Sequence, residues 1–169
     1  MKFRLINFRL CATGVALLCL TLLALSSPAG AVTDADYSFD LSDLFSSATA
    51  SLASLTDGKP AVVFVWAVDC SHCLRHMPYA SALYKKLDHD KVNFVSISMG
   101  DQQAHAKQYA QSKALPFPVL DGTSGKISPC YEEEGWPTTY VFSAGGELKR
   151  MTEDTGSAYI DEVLKLVGD

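Results

Sequence analysis

Two cysteines, Cys70 and Cys73, directly follow an apolar and largely β-branched run that extends from Val62 to Ala67. The run predicts a buried strand, and the cysteines then stand where a helix should begin after a short turn. A Cys-x-x-Cys pair in this order of strand, turn, dithiol and helix is typical of a redox-active pair. Such chemistry needs two sulfur atoms close enough to form a disulfide bond with little backbone movement. The sequence therefore predicts thiol–disulfide exchange at this pair.

The two sulfurs should have different roles. The thiolate is the nucleophile in disulfide exchange, and the unpaired N–H groups and dipole at a helix N-terminus favour it. Cys70 comes first and should be the more exposed, so we predict that it is the attacking sulfur. Cys73 lies one helical turn further and should be the resolving sulfur.

Other uses of the pair are a structural disulfide bond or part of a metal site. Soft thiolates suit zinc or copper, and His72, His76 and Cys130 offer further ligands. A periplasmic metal carrier is therefore one alternative function. We predict redox chemistry instead, with no resident metal and no cofactor.

The first 31 residues have the pattern of a targeting segment. A basic head precedes an uncharged apolar stretch over residues 10–25, and an Ala-x-Ala pattern ends at Ala31. We predict cleavage after Ala31 and a periplasmic mature protein. The alternative is an uncleaved membrane anchor, although about 16 apolar residues are few for a span that needs about 20.

Charge and cysteine content limit the function classes. The formal net charge is −5, and it becomes −8 without the three basic residues of the segment 1–31. An acidic domain of this kind disfavours nucleic acid as a partner. Three cysteines remain in the mature chain, which excludes a disulfide-dense framework and leaves Cys130 unpaired. We expect a small buried residue at Cys130, with a mixed disulfide or a dimer bridge as alternatives, and a monomeric protein.

The remaining chain divides into an irregular leader over residues 32–50 and one domain over residues 51–169. Within the leader, a helix over 43–54 and a short strand over 50–52 are both compatible with the sequence. The domain pattern predicts helices over 70–87, 101–112 and 159–167, strands over 91–98, 115–120, 138–142 and 147–151, and a short helix or loop over 124–133. Alternating strands and helices followed by a hairpin predict an α/β fold, with a central mixed sheet flanked by helices on both faces.

Several motifs together resemble the thioredoxin superfamily, and more narrowly the exported TlpA/ResA-like thiol–disulfide proteins. They are Trp66 four residues before Cys70, the Cys-x-x-Cys pair, Pro78, and the run Gly135–Thr139. The resemblance covers residues 51–167 and implies a thioredoxin fold. It also implies a cis peptide bond before Pro137, with this proline facing the dithiol and a substrate strand pairing beside it. Predicted substrate-binding residues are therefore Trp66, Trp136, Pro137 and Thr138, with Trp66 also expected in the core.

Departures from the family pattern leave the direction of electron flow open. Phe64 stands where many thioredoxins have a buried acid, and His76 stands where ResA-like reductases often have Glu. His72 directly precedes Cys73, which is similar to strongly oxidising DsbA-like sites. We predict that His72 and His76 tune the thiolates, although a surface position is the first expectation for His76.

The resulting prediction is an exported enzyme that reduces disulfide bonds of partner proteins and receives electrons from a membrane protein. One alternative is a DsbA-like disulfide donor, and another is an adaptor that only docks partners beside Pro137. The acidic run Glu132–Glu134 is expected to be a solvated face, with an acidic rim for partner selection as the alternative.

Overall fold

The computed structural model describes residues 37–153 and 156–168. The predicted targeting segment 1–31 and the start of the predicted leader lie outside the described residues. Within the described ranges, no helix has both the length and the apolar character needed to cross a membrane.

The elements alternate along the chain as the sequence pattern predicts from residue 61 onward. In chain order they are β1 (Phe39–Ser42), β2 (Thr49–Ser51), α1 (Leu52–Leu55), β3 (Ala61–Ala67), α2 (Ser71–Lys86), β4 (Asn93–Met99), α3 (Gln103–Ser112), β5 (Val119–Asp121), β6 (Lys126–Ile127), α4 (Cys130–Glu133), β7 (Thr138–Phe142), β8 (Leu148–Thr152) and α5 (Ser157–Gly168).

The main sheet has five strands in the order β5-β4-β3-β7-β8. Strands β3, β4 and β5 run parallel, whereas β7 is antiparallel to β3 and β8 is antiparallel to β7. All seven residues of β3 are buried, because this central strand is covered on both faces. The predicted mixed sheet is confirmed, and the dithiol follows its central strand.

Successive side chains of β3 point to opposite faces and enter two different cores. On one face Phe64 and Trp66 pack against residues of α2, α3 and α5. On the other face Val63 and Val65 pack against the small antiparallel sheet β2-β1-β6 and the short helices α1 and α4. Helices therefore cover both faces as predicted. On the second face, the helices cover the main sheet together with the small sheet β2-β1-β6.

The leader predicted to be irregular over residues 32–50 contains strand β1, so the prediction is wrong there. Phe39 and Leu41 of β1 are buried while Asp40 is exposed, and β1 pairs with both β2 and β6. This alternation is a strand signal that the polar composition of the leader obscured. For residues 50–52 the sequence is compatible with a helix or with a short strand. In the structure β2 ends at Ser51, and Ser51 caps α1 by accepting a hydrogen bond from the N–H of Ser54.

Candidate active site

The dithiol lies in the turn between β3 and α2. The N–H of Cys70 donates to the Ala67 carbonyl at 3.3 Å, and Cys70 is the N-cap residue of α2. Cys70 and Cys73 form a disulfide bond with Cα atoms 5.2 Å apart. The N–H of Cys73 donates to Cys70 Sγ at 3.1 Å. In the reduced protein this donor and the helix N-terminus would both stabilise a thiolate on Cys70.

The two sulfurs differ in accessibility in the predicted sense. Cys70 is half-buried, whereas Cys73 is fully buried in the core between β3 and α2. A partner sulfur can therefore approach Cys70 but not Cys73. This arrangement fits an attacking Cys70 and a resolving Cys73.

A loop ending in a cis peptide bond faces the dithiol. The Trp136–Pro137 bond is cis, and the Trp136 carbonyl oxygen lies 3.6 Å from Cys70 Sγ. The Trp136 indole N–H donates to the Tyr131 carbonyl at 3.2 Å, and Thr138 Oγ1 donates to the Gly135 carbonyl at 2.9 Å. These bonds hold the loop against α4 and the start of β7, so its backbone stays next to Cys70.

A cleft of about 370 Å³ opens beside this loop, and we call it the acidic cleft. Its lining residues are His72, Glu134, Gly135, Trp136, Pro137 and Glu153. Trp136 and Pro137 therefore line a cleft next to Cys70, and their contact with a substrate remains a prediction. Thr138 is 1% exposed as a whole residue, so its predicted contact with substrate stays a prediction.

Trp66 does not reach this surface, and its predicted contact with substrate is wrong. Its side chain is fully buried, its indole N–H donates to Ser96 Oγ at 3.3 Å, and its ring centroid lies 5.8 Å from that of Tyr109. The expectation that Trp66 belongs to the core is confirmed. It packs in the same hydrophobic core cluster as Cys73, so it belongs to the core that holds the buried end of the dithiol.

His76 is buried, so its expected surface position is wrong. It is 2% exposed, and its ring centroid lies 5.4 Å from that of Phe64 and 4.7 Å from that of Tyr159. Burial lowers the pKa of His76 to about 4, which leaves the ring neutral at pH 7. A neutral His76 cannot stabilise a thiolate through a positive charge, so any tuning must use the neutral ring.

The other candidate ligands do not assemble around the dithiol. His72 is exposed and lines the acidic cleft, where its tuning role remains a prediction. Cys130 is a half-buried free thiol at the start of α4 that packs against the second core. Within residues 37–153 and 156–168, no group of three or more His, Cys, Asp or Glu side chains is placed to hold a metal ion.

Sequence reasoning missed one residue of this surface, Glu153, and gave no structural role to a second, Tyr131, which lies six residues before Pro137. Glu153 follows β8 and lines the cleft, and no local sequence pattern predicts this position. Glu134 also lines the cleft, and it belongs to the acidic run that the sequence already indicates. Tyr131 donates its hydroxyl to the Tyr37 carbonyl at 2.7 Å and also accepts the Trp136 indole hydrogen bond. Tyr131 is fully buried and thereby ties the cis-proline loop to the chain before β1.

A model of the AhpC/TSA family matches residues 32–151. Among curated proteins, the thiol-disulfide oxidoreductase ResA of Geobacillus thermodenitrificans is 26% identical over 103 residues, which cover 60% of this chain and 59% of that protein. The ResA protein of Bacillus subtilis is 24% identical over 98 residues, which cover 58% of this chain and 55% of that protein. The chain thus spans less than two thirds of the length of these relatives.

Solved structures share the fold. A thiol:disulfide interchange protein of the thioredoxin family from Chlorobium tepidum matches with a TM-score of 0.62 at 23% identity, covering 78% of this chain and 93% of that one. A secreted disulfide oxidoreductase from Mycobacterium tuberculosis matches with a TM-score of 0.59 at 23% identity, covering 77% and 94%. The predicted thioredoxin fold is therefore confirmed.

Proposed function

This chain belongs to the AhpC/TSA family, and we propose that it is an exported thiol–disulfide oxidoreductase that reduces disulfide bonds of partner proteins in the periplasm. One observation carries the proposal. A half-exposed Cys70 caps α2 beside a buried Cys73 and faces the cis-proline loop, so one sulfur is accessible for attack and the other is protected until resolution. The relatives named ResA support the same activity.

The first step starts from the reduced dithiol. The Cys70 thiolate attacks one sulfur of the partner disulfide, and a mixed disulfide forms while the partner's S–S bond breaks. The partner's other sulfur leaves as a thiolate and takes up a proton. The Cys73 N–H, which lies 3.1 Å from Cys70 Sγ, makes the attacking thiolate more stable before the reaction.

The second step uses the buried sulfur. Cys73 loses its proton and attacks Cys70 Sγ, so the Cys70–Cys73 bond forms and the partner's second thiolate leaves and is protonated. The partner gains two electrons, and the protein is left in the oxidised state described here. A further dithiol, which we propose belongs to a membrane protein, must reduce the pair before another turnover.

The partner chain would be held beside the dithiol by the loop. We propose strand-like pairing with the backbone of residues 136–138, with Trp136 as an aromatic contact. The side chains of Glu134 and Glu153 give this cleft a negative rim. The rim supports the alternative interpretation of the run Glu132–Glu134 as an acidic rim for partner selection, with Glu134 as the member of the run that lines the cleft.

Disulfide donation is the second candidate function, and the position of His72 in the first turn of α2, directly before Cys73, favours it. A protonated His72 beside the N-terminus of α2 would stabilise the reduced dithiol and make the disulfide more oxidising. The chemistry of the two steps would then run in reverse and oxidise a partner dithiol.

Replacing single cysteines tests the exchange chemistry. Cys70→Ser should lower the exchange rate of a disulfide-bonded peptide to that of the uncatalysed reaction, because the nucleophile is lost. Cys73→Ser should complete the first step and accumulate a mixed disulfide, which mass spectrometry detects. Cys130→Ser is the matched control and should exchange at the wild-type rate. Undiminished turnover by Cys70→Ser would refute the proposal.

A further inference from the structure

A second cleft lies along α2, the helix that Cys70 caps, and carries a basic side chain where the first cleft carries acidic ones. It measures about 420 Å³ and is lined by His72, Arg75, His76 and Tyr79, and we call it the basic cleft. The spacing of these residues places them along one stripe of α2. His72 borders both clefts, so the basic cleft begins where the acidic cleft ends. A chain bound at Cys70 would therefore lie next to both.

The basic cleft carries a charge and hydrogen-bond donors that the fold does not use. Arg75 is exposed and forms no ion pair with the residues that the structure describes. His76 is 2% exposed, and its Nδ1 atom has no hydrogen-bond partner. Tyr79 is 40% exposed, and its ring lies 6.0 Å from that of His76. The exposed Arg75 cation is therefore the charged group of this cleft that a ligand can reach, since the unpartnered Nδ1 atom of His76 is buried.

The charge of Arg75 decides what kind of ligand fits. A guanidinium remains protonated and offers a planar fork of donors that matches a carboxylate in two parallel hydrogen bonds. The same guanidinium would repel a metal ion held by His72 and His76. The ligand class is therefore an anion of carboxylate geometry rather than a cation.

We propose that the basic cleft binds an Asp or Glu side chain of the partner polypeptide while its sulfur reacts with Cys70. The inference rests on the proposed function and adds a charge preference to it. In an extended segment, side chains two residues apart lie on the same side of the chain. When the partner cysteine reacts with Cys70, a side chain close to that cysteine in sequence can therefore extend beyond His72 into the basic cleft. Arg75 is thus a specificity residue, since it contacts the partner but not the reacting atoms.

The preference can be measured with disulfide-bonded peptides that differ at one residue within two positions of the reacting cysteine. That residue is Glu, Gln or Lys, and the peptide series covers both positions on each side of the cysteine. The reduced wild-type protein should react about two- to fivefold faster with a Glu peptide than with the Gln peptide at one or more positions, and more slowly with Lys, as expected for one exposed charge pair. Arg75→Gln should abolish this difference.

Two controls separate this inference from the proposed function. Lys85→Gln removes the same charge from the last turn of α2 and should keep the Glu preference. Neutral hydroxyethyl disulfide has no flanking residues, so the rate of each protein with it is the reference to which its peptide rates are normalised before the Glu and Gln peptides are compared. Exchange without a Glu preference, or a preference that survives in Arg75→Gln, would overturn the basic cleft alone. No exchange with any of the disulfides would overturn the proposed function and the inference with it.

Discussion

His76 is a buried titratable group, and its burial makes folding depend on pH. The pKa of His76 is about 4 in the folded protein, whereas the ordinary value in an unfolded chain is about 6.5. Between these values the unfolded chain binds a proton that the folded protein does not. Stability should therefore be complete above pH 6.5 and fall as the pH decreases towards 4.

The expected loss from this one residue is about 2 kcal/mol between pH 7 and pH 5. His76→Phe should remove that part of the pH dependence, because phenylalanine keeps an aromatic ring against Phe64 and Tyr159 but cannot be protonated. Urea denaturation at the two pH values measures it. His105→Gln changes an exposed histidine and should behave as wild type. An equal loss in His76→Phe and wild type would contradict the assignment.

At the scale of elements, β1 is held close to the turn that precedes β6. A Cβ atom added at Gly125 would collide with the backbone carbonyl of Asp40 in β1. Because backbone cannot give way cheaply, Gly125→Ala should force the pairing of β1 and β6 apart. We expect a loss of about 1–3 kcal/mol in the free energy of unfolding, measured by chemical denaturation.

Gly145→Ala is the matched control for this substitution. Gly145 lies in the exposed turn between β7 and β8, and its nearest neighbour to an added Cβ is Ser143 Oγ at 4.0 Å. The change there should stay within about 0.5 kcal/mol. Equal effects of the two substitutions would show that β1 does not need its close approach to Gly125.

For the whole molecule, the direction of electron flow is linked to the relative stability of the two redox states. In a protein that acts as a reductant, the disulfide form is the more stable of the two redox states. The oxidised protein should therefore unfold at a higher temperature than the reduced protein. A disulfide donor has a stabilised reduced form and should show the reverse order. Thermal unfolding with and without dithiothreitol measures the difference, and a Cys70→Ser/Cys73→Ser double variant should show none.

The equilibrium of the Cys70–Cys73 pair with glutathione also tests the direction of electron flow, because it gives the reduction potential of the pair. The reductase proposal expects a reduction potential close to the thioredoxin value of about −270 mV. A value close to about −120 mV, together with a more stable reduced form, would establish disulfide donation and assign His72 the dominant influence.

The dithiol, its strand and its helix could be predicted because they are encoded by neighbouring residues. A β-branched run, a turn and the start of an amphipathic helix follow one another within residues 62–87, and each has a local pattern of residue types even though β3 pairs with the distant strands β4 and β7. Strand β7 was predicted with its observed bounds for the same reason. The polar stretch that contains β1 was missed because this strand has only four residues, Phe39–Ser42, and two of them are polar.

The local residue pattern is sufficient to predict thiol–disulfide exchange at Cys70 and Cys73, the order of elements that carries the pair and, through the motifs around it, the fold. Tertiary packing was needed to show that Trp66 and His76 are buried and that Glu153 joins Glu134 beside Pro137. These features bring together residues that lie far apart along the chain. Burial and cleft chemistry depend on elements such as α5 and β8, which pack against the site from far along the chain and leave no local pattern around it.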